Sequence, residues 1–144
     1  MAIPVFKVKL TILKGSTFSQ LVTWSTYPYP VKVVNGRVIK VSTGLPAPDI
    51  DKVFVDLTGC KARMQIRPDI DSSTVLEEFT TEDGGIILGG TAGTIRFAIL
   101  DATETAAIDW DGGVYDLEII FSDNVTVLRK IYGSVKVSPE VTRA

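Results

Sequence analysis

Four pairs of carboxylates stand close enough in the sequence to suggest acid–base chemistry. They are Asp49/Asp51, Asp69/Asp71, Glu77/Glu78 and Asp109/Asp111. A glycosidase needs two carboxyl groups across a cleft, one of them with a pKa raised by an apolar wall. Proximity along the chain supplies neither feature, and the segment 69–71 lacks the spacing and the glycine of a calcium loop. We therefore expect solvated carboxylates in turns, with no metal site.

Other residue types that carry chemistry are scarce. The sequence has no histidine, the usual general base at neutral pH, and a single cysteine, Cys60. Cys60 falls on the same face of the predicted strand as Ala62, Met64 and Ile66. This position predicts a small buried side chain rather than a reactive thiol. The glycine-rich stretch 84–93 is not followed by Gly-Lys-Ser/Thr, so it predicts hairpin turns rather than a phosphate loop. We expect no enzyme, no catalytic residue and no cofactor.

Size and charge narrow the class of protein further. The chain has 144 residues and 15.6 kDa, which predicts a single domain, 1–144. Its 15 Lys and Arg against 17 Asp and Glu create no basic field for phosphate backbones, so we expect no nucleic-acid partner. Lys7 and Lys9 interrupt the first apolar run and no long apolar stretch follows, so we also expect no membrane partner and folding in a cytoplasm.

Apolar residues alternate with polar ones at a period of two along most of the chain. Phe6, Val8, Leu10 and Ile12, for example, share one face of the first strand. Asn35-Gly36 is typical of a two-residue hairpin turn. Turn residues recur about every ten positions, which predicts an all-β fold, an immunoglobulin-like antiparallel β-sandwich with Greek-key connections and at most one short helix near 102–108. The predicted strands are Val5–Leu13, Leu21–Thr26, Val31–Val34, Arg37–Val41, Val53–Leu57, Lys61–Arg67, Thr74–Phe79, Gly85–Leu88, Thr94–Leu100, Val114–Phe121 and Val125–Val137.

The motif Asp111-x-Gly113-x-Tyr115-x-Leu117 has a spacing found in immunoglobulin-like domains. There a tyrosine two positions before the core residue bonds its hydroxyl to backbone a few residues upstream, forming a tyrosine corner. Leu117 takes the position of the usual cysteine. The motif predicts a structural tyrosine corner with a buried Tyr115; a coincidental loop tyrosine is the alternative.

The segment Trp24–Pro30 combines three aromatic residues with two prolines where a strand ends. Aromatic side chains at such positions are frequent anchors in contacts with proteins or sugars. Trp24, Tyr27, Tyr29 and Val31 therefore form the predicted partner interface. The alternative is that Trp24 fills the core and the two tyrosines border it.

Five segments together resemble a known protein family. They look like a small phage tail protein family encoded in the tail regions of phages and prophages, and the strand pattern is similar to the N-terminal attachment domain of phage baseplate upper proteins. This resemblance implies an immunoglobulin-like domain built into a tail or baseplate, without enzymatic activity. The segments are Asp56–Arg67, Thr80–Ile86, Gly93–Ile95, Gly113–Glu118 and Gly133–Arg143.

We therefore expect a structural virion component that links or docks tail-fibre and baseplate proteins, works as an oligomer or within a larger assembly, and resides in the virion tail. Two alternatives stay open. One is a carbohydrate-binding module for host surface glycans, with Trp24, Tyr27 and Tyr29 as its aromatic platform. The other is a tail assembly factor that is absent from the finished virion.

Overall fold

A computed structural model describes residues 5–142 of the chain. Short-period alternation produces thirteen strands in this part, joined by tight turns, two 3₁₀ segments (Asp49–Asp51 and Gly90–Ala92) and one short α-helix, α1. The elements are β1 (Phe6–Lys7), β2 (Leu10–Leu13), β3 (Phe18–Thr23), β4 (Ser25–Thr26), β5 (Val31–Val34), β6 (Arg37–Lys40), β7 (Val53–Phe54), β8 (Lys61–Arg67), β9 (Glu77–Thr80), β10 (Ile87–Leu88), β11 (Thr94–Leu100), α1 (Ala102–Ala106), β12 (Gly112–Ile120) and β13 (Val127–Ser138).

The strands form an immunoglobulin-like β-sandwich. One layer has the order β1-β13-β12-β8-β9, with β2 also paired to β13, and the other has the order β10-β11-β3. In immunoglobulin domains strand F lies between C and G, and strand E lies next to B. The same arrangement arises when β3 is strand B, β8 is C, β11 is E, β12 is F and β13 is G. The predicted fold class is therefore confirmed.

The opening strand departs from the antiparallel pattern. Both β1 and β2 run parallel to β13, with Phe6 beside Ile131 and Leu10 beside Val135. Phe6, Val8, Leu10 and Ile12 point toward the core and the lysines outward, as the sequence predicts, whereas Leu13 at the end of β2 is exposed. It closes one edge of the larger sheet, where outward lysines discourage pairing with another strand.

The core lies between the two layers and follows the alternation. Met64 and Ile66 of β8 and Leu117 of β12 are buried against Ile95 and Phe97 of β11. Because side chains of a strand alternate between faces, each of these strands also has an outward polar face.

Local sequence signals account for the turns and the helix. Asn35 and Gly36 both have positive φ, 51° and 76°, as a two-residue hairpin turn requires. The helix α1 begins with a capping box between Asp101 and Glu104, and it is the one short helix that the sequence predicts near 102–108. No helix of residues 5–142 is long and apolar enough to cross a membrane.

Several strand boundaries differ from the prediction. Strand β7 ends at Phe54 rather than Leu57, and β9 begins at Glu77 rather than Thr74. Each of these extensions has two apolar residues and one polar residue, and beyond the paired strands the pairing continues only through single backbone hydrogen bonds, from Val55 to Trp24 and from Leu76 to Ile66. Strand length is therefore set by the available partner and not by apolar content.

Candidate interaction site

Most of the predicted carboxylates lie in solvent, but burial raises the pKa of one of them, Glu77, which lines a groove together with Glu104 and Asp109. Six of the eight predicted carboxylates are exposed, and Asp51 and Glu77 are half-buried. Asp49 pairs with Lys52 at 3.2 Å, and Asp69 accepts the amide of Asp71 at 2.9 Å in a local turn. Residues 5–142 contain no group of three or more metal-ligating side chains.

Cys60 contacts the core, and the glycine-rich stretch forms turns. Cys60 is partly buried against the core, and this burial raises the pKa of its thiol. Gly84, Gly90 and Gly93 have positive φ, so they serve the turns around β10 rather than a phosphate-binding loop.

The tyrosine-corner prediction is wrong in its bonding partner. Tyr115 is buried, but its hydroxyl donates to the carbonyl of Val8 at 2.5 Å, 107 positions away in the chain. Tyr115 lies in the middle of β12, so its side chain reaches across β13 to the opening strand instead of turning back on its own loop. Asp111 precedes β12 and Gly113 lies within it, while Leu117 is a core residue as predicted.

This hydrogen bond gives a measurable prediction. Tyr115→Phe removes the donor and leaves the Val8 carbonyl in a half-buried position, so we expect the free energy of unfolding to fall by about 1–2 kcal/mol. Chemical denaturation monitored by circular dichroism measures the change. An unaltered midpoint would show that the bond to Val8 contributes nothing to stability.

Trp24 is a core residue, so its assignment to a partner interface is wrong. Its side chain is 6% exposed and contacts Phe121 edge-on at a centroid distance of 6.4 Å. Lys130 Nζ lies 3.7 Å from the centroid of the Trp24 ring and 4.8 Å from that of Phe6, both cation–π contacts.

The buried position of Lys130 follows from a β-bulge that the sequence does not reveal. Leu117 pairs with Ile131 and Glu118 with Arg129, which leaves Lys130 as the extra residue of β13. The bulge turns this lysine toward the core, and desolvation lowers its pKa from 10.5 to about 8.

Between β3 and β8 the chain forms a separate structure that we call the insertion lobe, residues 25–54. Its base is the pairing of β4 with β7, and β5 and β6 form its hairpin. Most connections between strands are about 2–6 residues long, so a connection with four strands of its own is exceptional. The lobe is thus the most conspicuous addition to the sandwich.

Tyr27 and Tyr29 hold this lobe together. Their rings stack at a centroid distance of 5.7 Å, Tyr27 donates to the carbonyl of Ala47 at 3.3 Å, and Tyr29 donates to Asp51 at 2.5 Å. Lys40 Nζ lies 4.8 Å from the Tyr29 ring. Desolvation, followed by the bond to Asp51, raises the pKa of Tyr29 to about 12. Both tyrosines are half-buried, and one face of each ring is covered by the other ring.

The valines and other apolar residues of the lobe are exposed instead. The lobe carries eight of the 18 exposed large apolar side chains in residues 5–142. Val33 is 70% exposed and Leu45 62%, while the predicted interface residue Val31 is exposed at 36%. The valines that precede Asn35-Gly36 are visible in the sequence as an apolar run with Lys32 as its only charge, whereas the other five exposed residues have no such signal. The eight are Val31, Val33, Val34, Val41, Leu45, Ile50, Val53 and Phe54.

Comparisons with known proteins add little to this description. No protein-family model matches the chain, and no curated protein matches it. One solved structure that is similar comes from work on "multimeric cell-adhesive interactions of VGSC beta subunits"; it shares 9% identity over 99% of both chains, with a TM-score of 0.36. A TM-score this low supports neither a fold nor a function, and the immunoglobulin-like assignment rests on strand order.

Proposed function

We propose that this protein is a structural component of a bacteriophage tail or baseplate, and that it docks onto a neighbouring tail protein through the insertion lobe. The observation that carries the docking role is the concentration of exposed apolar side chains on the lobe. Monomeric proteins rarely leave such patches uncovered, and protein–protein contacts are their usual purpose. The phage assignment comes from the sequence resemblance described above.

The resemblance and the lobe occupy different parts of the chain. The resembling segments supply all of β8, most of β12 and the second half of β13, which are framework strands of the larger sheet. The lobe precedes all of them. This division supports a shared framework that inserts into the tail, with the lobe selecting the particular neighbour.

Within the lobe Asp49 pairs with Lys52 and Asp51 accepts from Tyr29, so the charge of the hairpin indicates the chemistry of that neighbour. From Val31 to Val41 the hairpin carries three cations, Lys32, Arg37 and Lys40, and no acidic residue. Exposed valines interspersed with cations are complementary to an apolar surface that carries acidic residues. We therefore expect the docking surface of the partner to be apolar with Asp or Glu around it.

The decisive experiment is mass spectrometry of purified virions, combined with complementation of a phage that lacks the gene. We expect the wild-type chain in the particle, and the Val33→Glu variant to be folded but absent from it. A charge placed at a 70% exposed valine leaves the isolated domain within about 0.5 kcal/mol of wild-type stability, because most of the side chain is already in solvent. Burying the same charge in an interface costs several kcal/mol.

Val75→Glu is the matched control, because Val75 is an exposed valine in the connection between β8 and β9, away from the lobe. This variant is expected to enter virions normally. If the wild-type chain is missing from virions but required to form them, it is an assembly factor instead. If Val33→Glu enters particles as well as Val75→Glu does, the lobe is not the docking surface.

A further inference from the structure

The outer face of the six-stranded sheet carries a groove that the proposed docking role does not use. Its volume is about 510 Å³, within the range of pockets for small ligands. The register explains its shape, because Val114 of β12 lies between Ser134 of β13 and Arg67 of β8. Short side chains at Val114 and Ser134 form a floor, and the long side chains of Arg67 and Tyr132 form walls.

Three cationic side chains line the groove: Lys7, Arg67 and Arg129. None of them is among the ion pairs in residues 5–142. Arg67 is held in place, since it donates to the carbonyl of Ser72 at 2.8 Å and to Gln65 Oε1 at 2.7 Å. A fixed guanidinium loses little entropy on binding an anionic group and presents its remaining N–H donors in a planar fork.

Two carboxylates, Asp69 and Asp116, line the same groove. Neither takes part in an ion pair in the described residues, although one oxygen of Asp69 accepts the Asp71 amide. Carboxylates beside a polyanion would repel it, whereas carboxylates beside hydroxyl groups accept hydrogen bonds. The ligand that uses both sets of residues carries hydroxyl groups together with a single negative charge.

Apolar surface completes the lining. Val114 and Ile70 are exposed, and the Tyr132 ring lies with its centroid 5.3 Å from Arg129 Cζ. Aromatic and aliphatic side chains of this kind pack against the C–H faces of sugar rings, while Ser134 adds a neutral hydroxyl group.

We propose that this groove binds an acidic sugar, such as a hexuronic or sialic acid unit, with its carboxylate at Arg67 and Arg129 and its hydroxyls at Asp69 and Asp116. An acidic peptide would satisfy the cations but would leave the two carboxylates facing like charges. The inference is independent of the insertion lobe, which lies at the β3–β8 connection.

An NMR titration of the full chain tests the proposal with four probes: methyl β-glucuronide, the methyl glycoside of N-acetylneuraminic acid, neutral methyl β-glucoside and hexaglutamate. We expect saturable shifts of the amides of Val114, Gly133 and Ser134 with at least one acidic sugar at millimolar concentration. The neutral glucoside is expected to bind at least about tenfold more weakly, because it lacks the charge-assisted hydrogen bonds.

Variants identify the residues responsible. Arg67→Gln and Arg129→Gln are each expected to weaken binding about tenfold or more. Arg67→Gln also removes the hydrogen bond to the Ser72 carbonyl, which would change the shape of the groove itself. Arg129→Gln has no such bond to lose within residues 5–142, so weaker binding in this variant reports the contact with the ligand. Arg96→Gln, on the outer face of the smaller sheet and bonded to Ser19, is the matched control and should not alter binding. The proposal is overturned if neither acidic sugar shifts these amides, if the neutral glucoside binds equally well, or if hexaglutamate binds there and the sugars do not.

Discussion

Gly133→Ala is expected to lower the free energy of unfolding by about 3 kcal/mol. Gly133 faces inward on β13, directly opposite Tyr115 of β12. A Cβ at this position would overlap the carbonyl oxygen of Val8 and come within 3.3 Å of the Tyr115 ring. Overpacking in a well-packed region costs about 1–3 kcal/mol, and displacement of Val8 also removes the hydrogen bond from the Tyr115 hydroxyl.

Ser134→Ala on the same strand is the matched control, since Ser134 points outward and its change should stay within about 0.5 kcal/mol. A double-mutant cycle with Tyr115→Phe gives a sharper test. If Gly133→Ala already breaks the bond to Val8, the two losses are less than additive. Additive losses, or a Gly133→Ala domain as stable as the wild type, would contradict this account of the opening strand.

The domain should become more stable between pH 8 and pH 10.5 because of Lys130. The folded chain holds this lysine with a pKa of about 8, whereas the unfolded chain has the ordinary value of 10.5. In this window the unfolded state binds the extra proton, so stability rises with pH; below pH 8 the full cost of burying the charge remains. At about 1.4 kcal/mol per tenfold change, the difference between the two ends is about 3 kcal/mol.

Other groups titrate in the same window, so the comparison is made with Lys130→Met. The unfolding free energy of the wild type, minus that of this variant, should rise by about 3 kcal/mol from pH 7 to pH 10.5. Lys136→Met, at an exposed lysine of the same strand, should run parallel to the wild type. Trp24 supplies a second readout, because its emission in a Trp110→Phe background should change with a midpoint near pH 8. A flat difference curve would place the Lys130 charge in contact with water.

The sequence determined the fold class and the internal faces of the strands. Alternation at a period of two is a local property, so Lys61–Arg67 and Thr94–Leu100 were predicted to the residue. Asn35-Gly36 likewise specifies its own turn, because positive φ is a property of those two residues.

Tertiary structure decided the burial of Lys130 and the hydrogen-bond partner of Tyr115, because both depend on how β13 pairs with its neighbouring strands. Lys130 is buried only because its register against β12 contains one extra residue, and a bulge depends on the partner strand as much as on its own sequence. Tyr115 bonds Val8 because β1 and β2 run along β13, a parallel neighbour that no local motif announces.

The candidate sites show the same division. Aromatic composition drew attention to Trp24, Tyr27 and Tyr29, yet the structure places the first in the core and the other two inside the insertion lobe. The sugar groove combines Arg67 and Arg129, 62 positions apart by their numbers and brought to one face by strands β8, β12 and β13. Composition and period fix which side of a strand a residue faces, but only the order of strands in the sheet decides which residues share that face.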